Sequence, residues 1–214
     1  MRIVKILVLN LGWFLGSCAP LFSEMQSARL VGKRKLEVTP GYSSVGLRGE
    51  GYNDKVAHFM GFQAAYGISE NVDLRFRFER VRIKSSNDKD ADDHLDFNVV
   101  GIGPKINLIR DRVALLLPVG LGGAIMQFQP TFLFTAPVIH NKIDINPSVK
   151  HIMNVCLGCW QPLVAFNIGM ALSSDLSKWA IRPEYGVLTN LNTTGHFSNF
   201  SVGISLNLST ISKP

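Results

Sequence analysis

The residues of this 214-residue chain whose types could perform nucleophilic chemistry lie in GHFSN, residues 195–199. A Ser hydroxyl can attack an ester when a neighbouring His takes its proton and an acid orients that His. Glu184 falls on the opposite face of its predicted strand, so Glu50, in the first loop, is the nearest acid. Two small polar residues beside a loop are the simpler explanation. The pattern therefore favours a non-enzymatic protein and keeps Ser198 and His196 as candidate catalytic residues.

Two further motifs are typical of thiol or metal chemistry. Cys156 and Cys159 form a CxxC in a predicted loop, where a disulfide is expected; zinc would need two more ligands, and only His151 is near. A run of alternating acids resembles the start of a calcium loop but lacks its Gly and its distal Glu; these acids are Asp88, Asp90 and Asp92. We therefore expect a loop disulfide and neither a metal nor another cofactor.

Strict alternation in NVDLRFRFERV, residues 71–81, indicates a strand with two unlike faces. Val72, Leu74, Phe76 and Phe78 share one face, and charged residues share the other. If the apolar face meets lipid, the opposite register would place two arginines in hydrocarbon at a cost of roughly 4–8 kcal/mol. The spacing thus predicts that the phenylalanines face lipid and the arginines face a lumen. The parity changes above Glu79, which predicts a bulge there or the arrival of the strand at the outer rim.

Ten strand-like runs and no convincing amphipathic helix follow from residue 35 onward. The runs are 35–48, 56–68, 71–83, 95–109, 112–121, 127–136, 142–150, 161–172, 178–188 and 197–208. Short turns alternate with long loops along the chain, as they do in outer-membrane barrels. We predict an all-β protein over 35–208, a closed antiparallel up-and-down transmembrane barrel of about ten strands, with eight or twelve as alternatives. Residues 209–214 are a C-terminal tail.

The N-terminus is predicted to be an export signal. MRIVK carries two basic residues before a short apolar run, and the run ends in LGSC, which resembles a bacterial lipobox. The resemblance implies a signal peptide over 1–17, lipidation of Cys18 and a periplasmic tether over 18–34. Removing residues 1–17 lowers the formal charge from +6 to +4, because Arg2 and Lys5 leave with them. An exported chain meets no nucleic acid, so the remaining basic residues are expected near anionic headgroups.

The last predicted strand, FSVGISLNL, carries a second resemblance. Ser201, Gly203, Leu206 and Leu208 match the C-terminal assembly signal of outer-membrane barrels, although the aromatic end of that signal is missing. The chain thus resembles the small outer-membrane barrels of Gram-negative bacteria. That implies a cell outer-membrane location, contact with outer-membrane lipid and lipopolysaccharide, and insertion by the barrel assembly machinery. GHFSN itself resembles the His-x-Ser-Asn of outer-membrane lipid A deacylases, which implies a lipid-facing acyl hydrolase as the alternative function.

Charged residues with lumen parity form the other candidate site: Arg75, Arg77, Glu79, Lys105, Arg182 and Glu184. Ten strands enclose little free space, which favours a plugged lumen over a selective constriction. We therefore expect a structural or surface-binding barrel that acts through loops 84–94 and 150–160. A narrow solute channel, and a soluble lipocalin-like barrel with an apolar interior, remain alternatives. The sequence leaves the oligomeric state open.

Overall fold

A computed structural model describes residues 23–49, 52–84, 94–122, 125–155, 163–190 and 196–208. These residues form thirteen strands: β1 (Leu36–Gly49), β2 (Tyr52–Gly67), β3 (Val72–Lys84), β4 (His94–Ile109), β5 (Val113–Leu116), β6 (Val119–Gly122), β7 (Ile125–Phe128), β8 (Thr131–Phe134), β9 (Ala136–Ile139), β10 (Ile143–Val155), β11 (Leu163–Leu172), β12 (Trp179–Asn190) and β13 (His196–Leu208). Within these ranges, no helix is long and apolar enough to cross a membrane.

The strands close into one antiparallel barrel. Every strand pairs antiparallel with the strands beside it, and β13 pairs with β1 from Leu36 opposite Leu208 to Arg48 opposite His196, which closes the ring. Strands β5 and β6 follow one another along β4, and β7, β8 and β9 follow one another along β10. Counting each of these groups as one gives ten barrel strands. The predicted fold class, a closed up-and-down barrel of ten strands, is confirmed.

Two of the ten barrel strands are interrupted beside prolines. Pro118 separates β5 from β6, and Pro130 separates β7 from β8. Proline has no N–H to donate to a neighbouring strand, so the ladder must break or bulge there. The carbonyls of both prolines still accept hydrogen bonds, from the N–H groups of Gln129 and His151 at 3.0 Å each. The barrel therefore remains closed across both interruptions.

The turns that follow β2, β4, β9 and β11 lie at one end of the barrel, here called the lower rim, and the opposite end is the upper rim. Asp111 and Asn141 occupy lower-rim turns with φ of 59° and 56°, which Asp and Asn tolerate better than other side chains. In the turn after β11, hydrogen bonds from Ser177 and Asn141 hold the pKa of the Asp175 carboxyl below its usual value. The residue types in these turns therefore suit the backbone conformations that they adopt.

Strand β10 is longer than predicted. The sequence placed the strand over 142–150 and assigned 150–160 to a long loop, whereas β10 continues to Val155. Ile152 is the reason: it is fully buried inside the barrel and packs in an apolar cluster there. The described part of the predicted binding loop is therefore barrel wall.

The outer face of the barrel is an apolar band. On β13, the alternate residues from Phe200 to Leu208 are between 37% and 58% exposed. The intervening residues Ser201, Gly203 and Ser205 are buried. On β3, Leu74 is exposed and Phe76 and Phe78 are half-buried, and all three share the outward parity. The predicted register of NVDLRFRFERV is confirmed.

Candidate functional site

The lower half of the barrel interior is lined by charged side chains. The structure places all six of the predicted luminal residues there: Arg75, Arg77, Glu79, Lys105, Arg182 and Glu184. Glu37, on β1, joins two of them, because its carboxylate lies 3.2 Å from Arg75 and 3.4 Å from Arg182. Arg77 donates to Glu79 from Nε at 2.9 Å and from a terminal nitrogen at 2.7 Å. Charges at one depth therefore pair with one another.

A stretch of the chain that precedes β1 also lies inside the barrel. We call residues 23–31 the luminal segment. Residues 23–28 are all buried, and exposure begins only toward Lys33 at the lower rim. The predicted periplasmic tether 18–34 therefore contains a part that lies inside the barrel. The physical reason is that the wall satisfies the polar groups of this segment, so its backbone loses little by leaving water.

The side chains of the luminal segment complete the charge pairing of the wall. Glu24 lies 2.5 Å from Lys150, and Arg29 lies 2.8 Å from Asp144. With these two included, the described part of the interior contains six cations and six anions: Arg29, Arg75, Arg77, Lys105, Lys150 and Arg182 against Glu24, Glu37, Asp73, Glu79, Asp144 and Glu184. Such a balance suits a low-dielectric interior, where an unpaired charge is costly.

Wall side chains also bind the backbone of the luminal segment. Glu184 accepts hydrogen bonds from the N–H groups of Glu24 at 2.8 Å and Met25 at 2.7 Å. Arg77 donates to the carbonyl of Ser23 at 2.5 Å. Lys105 donates to the carbonyl of Ser27 at 2.9 Å and to that of Arg29. The charged groups therefore act as hydrogen-bonding partners for a peptide backbone that no neighbouring strand pairs.

Further N–H groups of the segment are held in the same way. Ala28 donates to the Thr135 hydroxyl at 2.8 Å, and Val31 donates to Asp73 at 3.0 Å. Between the segment and the wall lies a cavity of about 40 Å³, lined among others by Gln26, Gln63 and Gln129. That volume holds roughly three water molecules. The lower interior is thus nearly filled by protein.

The upper half of the interior is lined differently. An apolar cluster near the upper rim collects inward side chains from β1, β2, β3, β4, β10, β11 and β12: Val45, Ala57, Phe59, Val81, Ile83, Val99, Ile152, Leu163, Ala165 and Leu188. We call it the upper cluster. Its members are at most 5% exposed. It closes the interior above the luminal segment with hydrophobic packing instead of ion pairs.

Strand β3 passes from one half to the other without a bulge. Its register with β2 and β4 is continuous from Asp73 to Ile83, so the predicted bulge above Glu79 is absent. Val81 and Ile83 point inward, and Arg80 and Arg82 point outward, where both bind Asp96 at 2.8 Å and 3.1 Å. Of the two sequence alternatives, the strand reaching the outer rim is the one that fits.

The two catalytic candidates lie two residues apart at the start of β13. Ser198 is only 6% exposed, although its parity predicted a lipid-facing position, and His196 is half-buried at the upper end of β13. The candidate acid Glu50 lies outside the described residues.

Several sequence-derived sites lie outside the described residues: Cys18, Cys156, Cys159, Asp88, Asp90 and Asp92. Their lipidation, disulfide and calcium hypotheses stay predictions. Among the residues that the structure describes, no three His, Cys, Asp or Glu side chains come together as a metal site.

Sequence reasoning missed the partners that complete the lower interior, namely Glu24, Glu37, Asp73, Asp144 and Lys150. Alternation carried a signal for three of them. Asp73 has the parity of Arg75, and Asp144 and Lys150 share the inward parity of IDINPSVK on β10. No such signal existed for Glu24, because residues 23–31 have no strand period.

No protein-family model and no curated protein matches this chain. Among solved structures, Ail, the attachment invasion locus protein of Yersinia pestis, is 12% identical, with 82% of this chain and 99% of Ail covered at a TM-score of 0.41. The translocator domain of autotransporter NalP from Neisseria meningitidis is 11% identical, with coverage of 80% and 88% at a TM-score of 0.42. Neisserial surface protein A is 10% identical, with coverage of 80% and 96% at 0.34.

Proposed function

We propose that this chain is an outer-membrane β-barrel with a plugged lumen, and that it works as a structural or surface-binding protein and not as an enzyme. One observation carries the proposal: the wall is apolar outside and charged inside over its lower half, and the luminal segment fills that half. An apolar exterior around a charged interior suits a barrel whose outer solvent is lipid.

The height of the apolar band supports a membrane location. On β13 the band runs from Leu208 to Phe200, eight residue steps or roughly 26 Å along the strand. At the tilt of about 35–45° that is usual for such barrels, the band is roughly 20 Å tall, close to the apolar height of outer-membrane barrels. Tyr66 is 44% exposed near the lower rim, where an amphipathic ring suits a membrane interface.

Above the band, the outer face becomes basic. Arg80, Arg82 and Lys84 are exposed on β3, and Asp96 is the acid that binds the first two. Basic groups at this height are suited to phosphates of surface lipid, including lipopolysaccharide. Export by the signal peptide 1–17, lipidation of Cys18 and insertion by the barrel assembly machinery are parts of the same proposal.

The filled interior argues against a channel. A solute would have to displace the luminal segment, break the Lys150–Glu24 and Arg29–Asp144 pairs, and then pass the upper cluster. Two different closures in series make steady conduction unfavourable.

The test combines location with conductance. Membrane fractions of a Gram-negative host that expresses the full chain should contain it in the outer membrane, and unheated samples should migrate differently from heated ones because closed barrels resist detergent. Purified protein in planar bilayers should give no steady conductance. Recovery in the soluble fraction would overturn the membrane proposal, and steady single-channel currents would overturn the plug.

A further inference from the structure

We infer that the lower lumen is a peptide-binding site, and that the luminal segment is its tethered ligand, recognised through its backbone and through Met25. The inference rests on the proposed plugged barrel and deepens it, because it states what the interior recognises. The ligand class is a peptide in which a carboxylate side chain precedes a methionine and two small residues follow after one further position, as in Glu24-Met25-Gln26-Ser27-Ala28.

The first argument is the number of backbone groups that the wall holds. Four N–H groups of the segment donate to wall side chains, and three of its carbonyls accept from them, although the segment pairs with no strand over 23–31. Ordinary ion pairing would need none of these contacts. Side chains from several strands thus do for this peptide what a neighbouring strand does in a sheet.

The second argument is the local conformation at Met25. Its φ is 46°, in the left-handed region that costs an ordinary residue about 1–2 kcal/mol. In this conformation the consecutive N–H groups of Glu24 and Met25 both point at the Glu184 carboxylate. Two adjacent amides around one anion form a backbone nest. The unusual backbone is therefore stabilised by its contact with the wall.

The third argument is a seat for the methionine side chain. Gly41 and Gly203 face each other across the β1–β13 pair that closes the barrel. A Cβ at Gly41 would lie 2.7 Å from Cε of Met25, and a Cβ at Gly203 would lie 3.1 Å from its Sδ. The first distance is shorter than real Cβ contacts and the second is unusually tight, so the Met25 side chain would have to move away from a side chain at either position. The two glycines thus leave the space that Met25 fills, and they place the segment on the closing seam.

Small residues complete the fit. Ala28 is fully buried and packs with Ala114, Leu116 and Leu133, so a larger residue at 28 would collide with the wall. Glu24 adds charge recognition through Lys150. Together these contacts favour a particular sequence as well as this backbone conformation.

The experiment cuts the tether in the folded full-length chain. A seven-residue protease site is inserted between Gly32 and Lys33, at the lower rim, and folding is verified by the difference between heated and unheated migration. After cleavage, the fragment that contains the luminal segment should stay with the barrel through gel filtration and leave on heating. The same insertion in a Glu184→Ala chain should shorten retention about tenfold or more, because two backbone donors lose their acceptor.

Prompt loss of the fragment from a barrel that stays closed would overturn the inference, and so would unfolding of the barrel on cleavage, because a ligand held by its own contacts needs no tether. Neither result would change the location or the conductance of the intact chain, so the proposed function is tested separately.

A second measurement needs no insertion. Gly41→Ala should lower the free energy of unfolding in the full chain, and it should cost clearly less in a Met25→Ala background, where the colliding side chain is gone. Equal costs in the two backgrounds would show that Gly41 does not seat Met25, and would contradict the recognition claimed for the methionine.

Discussion

Strands alternate charged and apolar residues in both halves of the barrel, but charged side chains face inward in the lower half and outward in the upper half. In the lower half of β3, Arg77 faces the lumen and Phe78 faces outward. Four residues farther along the same strand, Val81 faces the lumen and Arg82 faces outward. The register does not change between them. What changes is the environment on each side of the wall.

The difference teaches that alternation fixes the faces of a strand but not which face is apolar. Below the transition, the outer solvent is proposed to be lipid, so polar groups turn inward and need partners there. Above it, exposed Arg80 and Arg82 indicate water or headgroups outside, and the interior becomes an ordinary hydrophobic core. The upper half therefore has the apolar interior that the sequence analysis considered for a soluble, lipocalin-like barrel.

The largest loss of stability should follow the removal of an ion pair from the charged lower half of the interior. Arg77→Ala removes the partner of buried Glu79 and the donor to the Ser23 carbonyl. We expect the free energy of unfolding to fall by about 3–5 kcal/mol, measured by urea denaturation of the barrel in lipid bilayers. A loss below about 1 kcal/mol would mean that the lower interior is hydrated and its ion pairs contribute little.

The apolar half should respond to lost volume. Ile152→Ala leaves a cavity in the upper cluster, and we expect a loss of about 2–5 kcal/mol in the same assay. Ile168→Ala is the matched control, because Ile168 is 56% exposed on the outer face of β11 and leaves no internal cavity. Equal losses for the two variants would contradict a packed upper interior.

The boundary between the halves can be located from outside. Ile102 is 50% exposed in the apolar band, so Ile102→Arg should cost about 2–4 kcal/mol in bilayers. Asn98 lies on the same outward face of β4 nearer the upper rim, where it is exposed, and Asn98→Arg should cost about 1 kcal/mol or less. If the two costs in unfolding free energy were the same, the change from apolar to polar outward-facing residues along β4 would not mark the edge of the membrane.

The smallest effect is expected from the outer arginines. Arg82→Ala removes one side of an exposed ion pair with Asp96, which is worth about 0–1 kcal/mol. Set beside Arg77→Ala, it compares the same residue type at two heights of one strand. Equal losses of stability for Arg77→Ala and Arg82→Ala would contradict the claim that the charged side chains face inward in the lower half and outward in the upper half.

Much of the wall could be predicted from the sequence. Alternation gave the class, the strand number and the inward position of residues such as Arg75 and Lys105, because the side-chain period of a strand is fixed by covalent geometry. Strand ends were less predictable. Ile152 sits in a stretch without turn residues or strict alternation of charge, and only its tertiary packing makes His151–Val155 a strand.

The luminal segment could not be predicted in this way. Residues 23–31 have no apolar period, and their basic neighbours at 33–35 suggested a solvated tether. Their position follows from contacts with residues more than forty positions away, such as Thr135 and Glu184. Local propensity contains no information about such contacts.

The most direct measurement is the accessibility of the luminal segment. Ser27→Cys is nearly isosteric and places a thiol where the residue is 6% exposed, whereas Lys33→Cys places one at the exposed lower rim. Folded, detergent-solubilised protein is treated with a maleimide, and labelling is read by mass spectrometry of the peptide that carries each new cysteine. We expect rapid labelling at 33 and labelling at 27 only after heating. Equal, rapid labelling at both positions in the folded barrel would contradict a lumen filled by its own N-terminal segment.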